Sequence, residues 1–346
     1  MSDNALQTGI KRLSMGKSLS RDEAAAAFGC VMRGEGTAAQ VAALLVGLRV
    51  KGETLDEVAG AATALRAAMT VLRADAPEDL VDTCGTGGGT VSTFNISTAA
   101  ALLAAGAGVR VAKHGNRSFT SRSGSADVLE ALGVPIDLTV DRMRDVLENA
   151  GIVFMFAPTM HPAMRHVGPV RREIAIPTVM NLIGPLANPA RAGRQVIGVA
   201  DPARLGLIGG ALQALGTTHS IVVHGEPGMD EISPLGNTTV LELVDGEARS
   251  WTIEPERLGV EPTNTNELVG ADPVDNARIV EAVLAGRGNP GATAAVVLNA
   301  AGALYISGKV ADFAGAMTMA RDALRAGAGR DALERLRAAT RRASGR

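Results

Sequence analysis

Between residues 20 and 70 the chain repeats one pattern: a hydroxyl residue, two spacers, a Glu or Gln, then an alanine-rich apolar run. Ser20-Arg21-Asp22-Glu23, Thr37-Ala38-Ala39-Gln40 and Thr54-Leu55-Asp56-Glu57 each read as a capping box. In such a box the hydroxyl takes an orphan helix amide and the Glu or Gln reaches back to the cap amide. Gly34, Gly36 and Gly52 fall where these helices should stop. The short connections predict a compact helical bundle. From about residue 78 the period shortens. "DLVDTC", "VRVAK" (109–113), "GIVFMFAP" (151–158), "RQVIGVA" (194–200) and "HSIVVHG" (219–225) are apolar, β-branched runs, with helical patterns such as "STAAALLAAGAG" and "SADVLEALGV" among them. Strands alternating with helices predict an α/β domain built on a mostly parallel sheet. "TTVLELVDGEARSWTIEP" (238–255) reads as a hairpin turning at Asp245-Gly246, and the chain closes in two helices.

The junction after the first strand carries the chemistry. "DTCGTGGGTVSTFNIST" (82–98) sets Gly85, Gly87, Gly88 and Gly89 among Thr, Ser and Asn, immediately before a helix. A tight turn needs one or two glycines. This many bare amides, followed by a helix N-terminus, suit an anion such as phosphate. A P-loop is excluded, because no lysine follows in the required place. A dinucleotide fingerprint fits poorly. Thr90 occupies its third glycine, and Lys113-His114 stand where an acid should meet a ribose. A second loop, "KHGNRSFTSRSGSADVLEALG" (113–133), follows the second strand with Lys113, His114, Arg117 and Arg122. Loops after parallel strands gather at the carboxyl edge of the sheet, so both loops should face one pocket. A third segment, 156–189, carries Arg165, Arg171 and Arg172, and one arginine there could grip a substrate carboxylate. A fourth, "HGEPGMDEISPLG" (224–236), holds the adjacent acids Asp230 and Glu231. Beside a diphosphate, such a pair would hold Mg²⁺.

Composition narrows the classes further. Only 2% of the 346 residues are aromatic against 46% hydrophobic, so the core must be built from small and branched aliphatics. The net charge of −2 and the single Trp and Tyr argue against a nucleic-acid partner. Cys30 and Cys84 make neither a disulfide framework nor a zinc set. The N-terminus lacks a signal-peptide core and no long apolar run appears, so the expectation is a soluble, cytoplasmic protein without membrane contact.

In that order and spacing, "GTGG…TFNIST", "VAKHGNRS…SRSGSADVLEALG", "HPAMRHVGPVRRE", "NLIGPLANP" and "GMDEISPLG" resemble the anthranilate phosphoribosyltransferases of tryptophan biosynthesis. The resemblance covers nearly the whole chain. It implies a small N-terminal helical domain (1–75), with a mid-chain segment near 165–190 packing on it, and a larger α/β domain (76–346). The substrate cleft would lie between them, and the helical domain would form a homodimer. It implies phosphoribosyl diphosphate (PRPP) held by Gly85, Gly88, Gly89, Thr93, Asn95, Ser97 and Thr98. Lys113, His114, Gly115, Asn116, Arg117, Ser118, Phe119, Thr120, Ser121 and Ser125 would complete that site. Mg²⁺ would be held through Ser97, Asp230 and Glu231, and anthranilate would meet Gly85, Asn116 and Arg171. No dedicated base is implied; His114 is the sole candidate. One departure stands out: the family usually has aspartate where this chain has Gly89. The rival readings are a pyrimidine nucleoside phosphorylase, whose glycine loop is of the "KHSTGG" kind, and a nucleic-acid-binding relative.

Overall fold

The computed structural model describes residues 4–118 and 122–345. The chain divides into two compact units. One comprises Met1–Val71, Pro158–Pro189 and Gly206–Gly216, the other Leu72–Ala157, Ala190–Leu205 and Thr217–Arg346.

The first unit opens with helices α1 (Ala5–Ser14), α2 (Arg21–Met32), α3 (Ala38–Lys51) and α4 (Leu55–Ala68). All three expected capping boxes form, and Asn4 with Gln7 adds one more at α1. The Glu57 carboxylate does more than cap: buried, it also accepts the Leu19 amide and the Lys51 ammonium, each at 2.9 Å. Helices α2 and α4 touch at Gly60, where a Cβ would lie 2.4 Å from the Arg21 carbonyl oxygen. Arg66 ties the later segments to α4, donating to the carbonyls of Leu186 at 2.6 Å and Leu215 at 3.3 Å.

His161 of this unit is only 4% exposed, and burial pulls its pKa from 6.5 down to about 4. The unfolded chain binds this proton near pH 6.5 while the folded one refuses it. The contribution is therefore complete above pH 6.5 and is lost as pH falls toward 4. Between pH 6.5 and 5, ahead of most carboxylates, this group alone should remove about 2 kcal/mol. Denaturant melts at pH 7 and pH 5 should show that loss in the wild type and a smaller one in His161→Gln. An equal loss in both would clear His161.

The second unit is built on a seven-stranded sheet in the order β3-β2-β1-β4-β5-β6-β7. Its strands are β1 (Val81–Gly85), β2 (Val111–Gly115), β3 (Ile152–Phe156), β4 (Arg194–Gly198), β5 (His219–Gly225), β6 (Thr238–Val244) and β7 (Glu247–Ile253). The first five are parallel, and β6–β7 is the expected antiparallel hairpin. Its turn residues Asp245 and Gly246 have φ of 53° and 80°, both in the left-handed region such a turn requires. The strand order reverses between β1 and β4, where open α/β sheets place their ligands. Helix α5 (Ile96–Gly106) packs on β1 and β2, and the helix Pro290–Ile306 lies on β1, β4 and β5. Both helices are apolar nearly all round and almost wholly buried, which alanine, valine and leucine allow. Among the described residues no helix is long and apolar enough to cross a membrane.

Candidate active site

The glycine loop runs from the end of β1 to α5, and Asp230 shapes it. The Gly87 N–H donates to Asp230 Oδ2 at 2.8 Å, and a Cβ on Gly85 would stand 2.4 Å from that oxygen. Gly87 and Gly88 have φ of 72° and 82°, which a side chain would strain. Thr90 fixes the far side of the loop through its N–H to the Gly228 carbonyl, 3.0 Å, and its hydroxyl to the Pro227 carbonyl, 2.9 Å. The amides of Gly88 and Gly89 meet no acceptor among the described residues, and Gly88 is exposed. They are the bare donors the sequence leads one to expect.

Asp230 and Glu231 lie where β1 and β4 end. A Cβ on Gly198 would overlap the Asp230 carbonyl, so glycine at the close of β4 lets the acidic loop lie across the switch point. Burial raises the Asp230 pKa, opposed by the Gly87 N–H. Burial, with Asp230 as neighbour, pushes Glu231 up to about 8, while Lys113 and the Ser97 N–H oppose that shift. Ser97 is in the first turn of α5, so its amide carries the positive end of that helix toward the Glu231 carboxylate. Lys113, buried on β2, donates to the Thr83 carbonyl, to Thr83 Oγ1 at 3.4 Å and to Ser97 Oγ at 3.3 Å. Burial lowers its pKa, and Asp82, Cys84 and Glu231 pull it back. Lys113, Ser97, Asp230 and Glu231 are thus one electrostatic cluster beside the glycine loop.

The other expected residues fall into distinct situations. Asn95 joins the two loops: its Nδ2 donates to the Ser123 carbonyl at 3.1 Å, and its Oδ1 accepts from Ser123 Oγ at 3.2 Å and Asn276 Nδ2 at 3.0 Å. Thr93 is pressed against Gly270, where a Cβ would come within 2.4 Å of the Thr93 carbonyl oxygen. The Thr98 hydroxyl is buried with no hydrogen-bond partner among the described residues. His114 donates its backbone N–H to Asp82 Oδ1 at 3.1 Å. Gly115 has no room for a side chain, since a Cβ would lie 2.2 Å from Ser125 Oγ. Asn116 accepts the Arg117 N–H on its side chain at 2.7 Å, and its carbonyl accepts from Ser125 Oγ at 3.3 Å. The Arg117 guanidinium, half-exposed, is engaged by Asp127 at 2.8 Å and Glu130 at 2.5 Å. That part of the basic run is an ion-paired surface. Asp127 also accepts the amides of Ser118, 3.3 Å, and Gly124, 2.8 Å, and so braces the second loop. Phe119, Thr120 and Ser121 lie outside the described residues.

Arg171 belongs to the first unit, on the helix Gly168–Ile174. Burial lowers its pKa, and Asn181 Oδ1 at 3.5 Å is its hydrogen-bond acceptor. Among the described residues no carboxylate pairs with it, so a partly buried guanidinium is left to receive one. Asp82 and Asn276 were missed by the sequence reading. Asp82 had a signal, an acid inside an apolar central strand; Asn276, on a helix 181 residues from Asn95, had none.

The donor set of Ser97, Asp230 and Glu231 is all hard oxygen, which fits Mg²⁺. Two carboxylates and one hydroxyl leave coordination positions that phosphate oxygens and waters can fill, as Mg²⁺ favours.

Two family models match the chain: the helical bundle domain of a glycosyl transferase family over residues 7–69, and its a/b domain over residues 77–330. An anthranilate phosphoribosyltransferase of Anaeromyxobacter dehalogenans is 48% identical over 97% of this chain and 98% of the relative. One from Rubrobacter xylanophilus is 46% identical over 99% of each. Among solved structures, the Thermus thermophilus anthranilate phosphoribosyltransferase superposes with a TM-score of 0.90 at 40% identity, covering 96% of this chain and 99% of that one. The Saccharomyces cerevisiae enzyme in complex with PRPP and Mg superposes with a TM-score of 0.89 at 26% identity, covering 98% of each.

Proposed function

The chain belongs to the anthranilate phosphoribosyltransferases, and from that premise we propose the part each site residue takes. The reaction transfers the phosphoribosyl group of PRPP to the amine of anthranilate, giving N-(5-phosphoribosyl)anthranilate and pyrophosphate. It is a step of tryptophan biosynthesis. An arylamine is uncharged at neutral pH, so its lone pair attacks C1′ with little base assistance. The harder demand is departure of pyrophosphate while positive charge grows on the ribose. The amides of Gly88 and Gly89 and the Lys113 ammonium would stabilise the leaving diphosphate, the loop held beforehand by the Gly87 N–H on Asp230 and the lysine by the Thr83 carbonyl. Mg²⁺, held by Ser97, Asp230 and Glu231, would neutralise diphosphate charge when bound. Arg171, with Asn116, would orient anthranilate by its carboxylate and bring its amine to C1′. The product nitrogen loses its proton late, to pyrophosphate or water, with His114 the candidate base. By the same resemblance the protein acts as a cytoplasmic homodimer, which sedimentation equilibrium would test.

The observation carrying this reading is the gathering of bare amides, a buried lysine and two acids of raised pKa at the sheet's switch point. Anthranilate is fluorescent, so the test is its loss of signal on adding enzyme, PRPP and Mg²⁺, with each omitted in turn. Loss that needs all three is expected. No loss with folded protein would return the phosphorylase and nucleic-acid readings.

Gly89 bears on the metal. A Cβ there would stand 3.3 Å from Asp230 Oδ1 and 3.1 Å from the Gly228 carbonyl oxygen. Gly89→Asp therefore adds a carboxylate against Asp230. The metal-free variant should melt lower than wild type, and half-saturating Mg²⁺ should fall about three- to fivefold as a further acid joins the site. An unchanged Mg²⁺ titration would remove residue 89 from metal binding.

A further inference from the structure

Strands β1 and β2 are neighbours joined by a single backbone pair, Val81↔Val111. Each is matched along its whole length to its other neighbour, β1 to β4 from Val81↔Arg194 to Gly85↔Gly198, and β2 to β3 from Val111↔Ile152 to Gly115↔Phe156. The carboxyl ends of β1 and β2 therefore part, and the two substrate loops spring from those parted ends. Side chains span the gap. From β1, Asp82 Oδ1 accepts the backbone N–H of His114 at 3.1 Å; from β2, the Lys113 ammonium donates to the Thr83 carbonyl. Asp82 is fully buried, and its other oxygen accepts from Gln195 Nε2 on β4 at 3.4 Å. A carboxylate buried at the centre of a parallel sheet is costly unless its oxygens are satisfied, and valine or isoleucine is the ordinary occupant.

We propose that Asp82 is a positioning residue for phosphoribosyl transfer. It stands in for the missing ladder between β1 and β2 and sets the spacing between the glycine loop and the 113–118 loop. It touches no substrate; it acts through the His114 amide, which carries the backbone of Gly115 and Asn116 with it. The inference rests on the reading of both loops as the PRPP site.

Two variants separate the acceptor from the bulk. Asp82→Leu keeps the branched heavy-atom outline and cannot accept the His114 N–H; Asp82→Asn still can. In Asp82→Leu the KM for PRPP should rise about tenfold, the worth of one buried hydrogen bond. Asp82→Asn should hold the PRPP KM within about threefold of wild type. Hydrogen exchange of the 111–118 amides should quicken in the Leu variant and stay near wild type in the Asn variant. Should Asp82→Leu fail to fold, Asp82→Ser, too short to reach His114, carries the same expectations. An unchanged PRPP KM in the Leu or Ser variant overturns the proposal, as does an Asn variant as impaired as Leu. So does a loss confined to kcat and melting temperature, which is what a merely structural residue would give. A wild type without PRPP-dependent turnover would instead sink the transferase reading. The exchange experiment would still decide whether Asp82 bridges the strands.

Discussion

Lys113→Met should lower kcat by about 10²- to 10³-fold, the usual consequence of deleting one preorganised charge stabiliser from a transfer site. The argument begins with burial. Lys113 is 3% exposed, and the atoms its ammonium touches are neutral oxygens of Thr83 and Ser97. The charged groups that favour its ionised form, Asp82 and Glu231, do not overcome the desolvation that lowers its pKa. Such a cation is held at a cost to the fold, which a diphosphate would repay on binding. Methionine matches the length of the lysine stem and removes that cost. The melting temperature of Lys113→Met without substrate should therefore equal or exceed that of wild type while turnover collapses. Sites kept for chemistry trade stability for activity in this way. Thermal melts and steady-state kinetics on the same preparation check both halves. Turnover within about threefold of wild type would remove Lys113 from leaving-group stabilisation. A matching fall in melting temperature would make it a structural residue.

Much of this was legible in the chain because the signals are local. A capping box is complete within four residues, and each of the three read from the sequence holds in the fold. The hairpin turn is declared by Asp245-Gly246, since few residues adopt the backbone found there. The glycine loop and the Asp230-Glu231 pair are short words whose chemistry does not depend on what packs beside them. What was not legible is long-range. Arg117 counts as a basic group in the sequence, but Asp127 and Glu130 on the following helix (Ser125–Ala131) claim its guanidinium. The helix Leu205–Leu215 looks like another element of the α/β pattern, yet Gly206–Gly216 belongs to the first unit, where Leu55 fills the space beside Gly210. The parting of β1 and β2 has no sequence signature beyond one misplaced acid, because register depends on which strands become neighbours.

Arg171→Ala should raise the KM for anthranilate and lower kcat/KM for it by about 30- to 300-fold, leaving the KM for PRPP within about threefold. The premise is an unanswered charge. Arg171 is partly buried, desolvation alone shifts its pKa, and among the described residues the acceptor of its guanidinium is the amide oxygen of Asn181 at 3.5 Å. Surface arginines in this chain find carboxylates readily, as Arg110 does with Glu148 at 2.6 Å and Arg117 with Asp127 and Glu130. Arg171 finds none among the described residues, although a guanidinium removed from water gains most from a bidentate carboxylate. The substrate supplies one. Arg171→Lys should recover only part of the loss, because an ammonium cannot offer the paired N–H groups of the fork. The methyl ester of anthranilate gives the second axis of a double cycle. Wild type should discriminate strongly against the ester, and Arg171→Ala should treat acid and ester almost alike, placing the coupling between this side chain and that carboxylate. Equal losses for PRPP and anthranilate, or full discrimination surviving in the variant, would take the carboxylate away from Arg171.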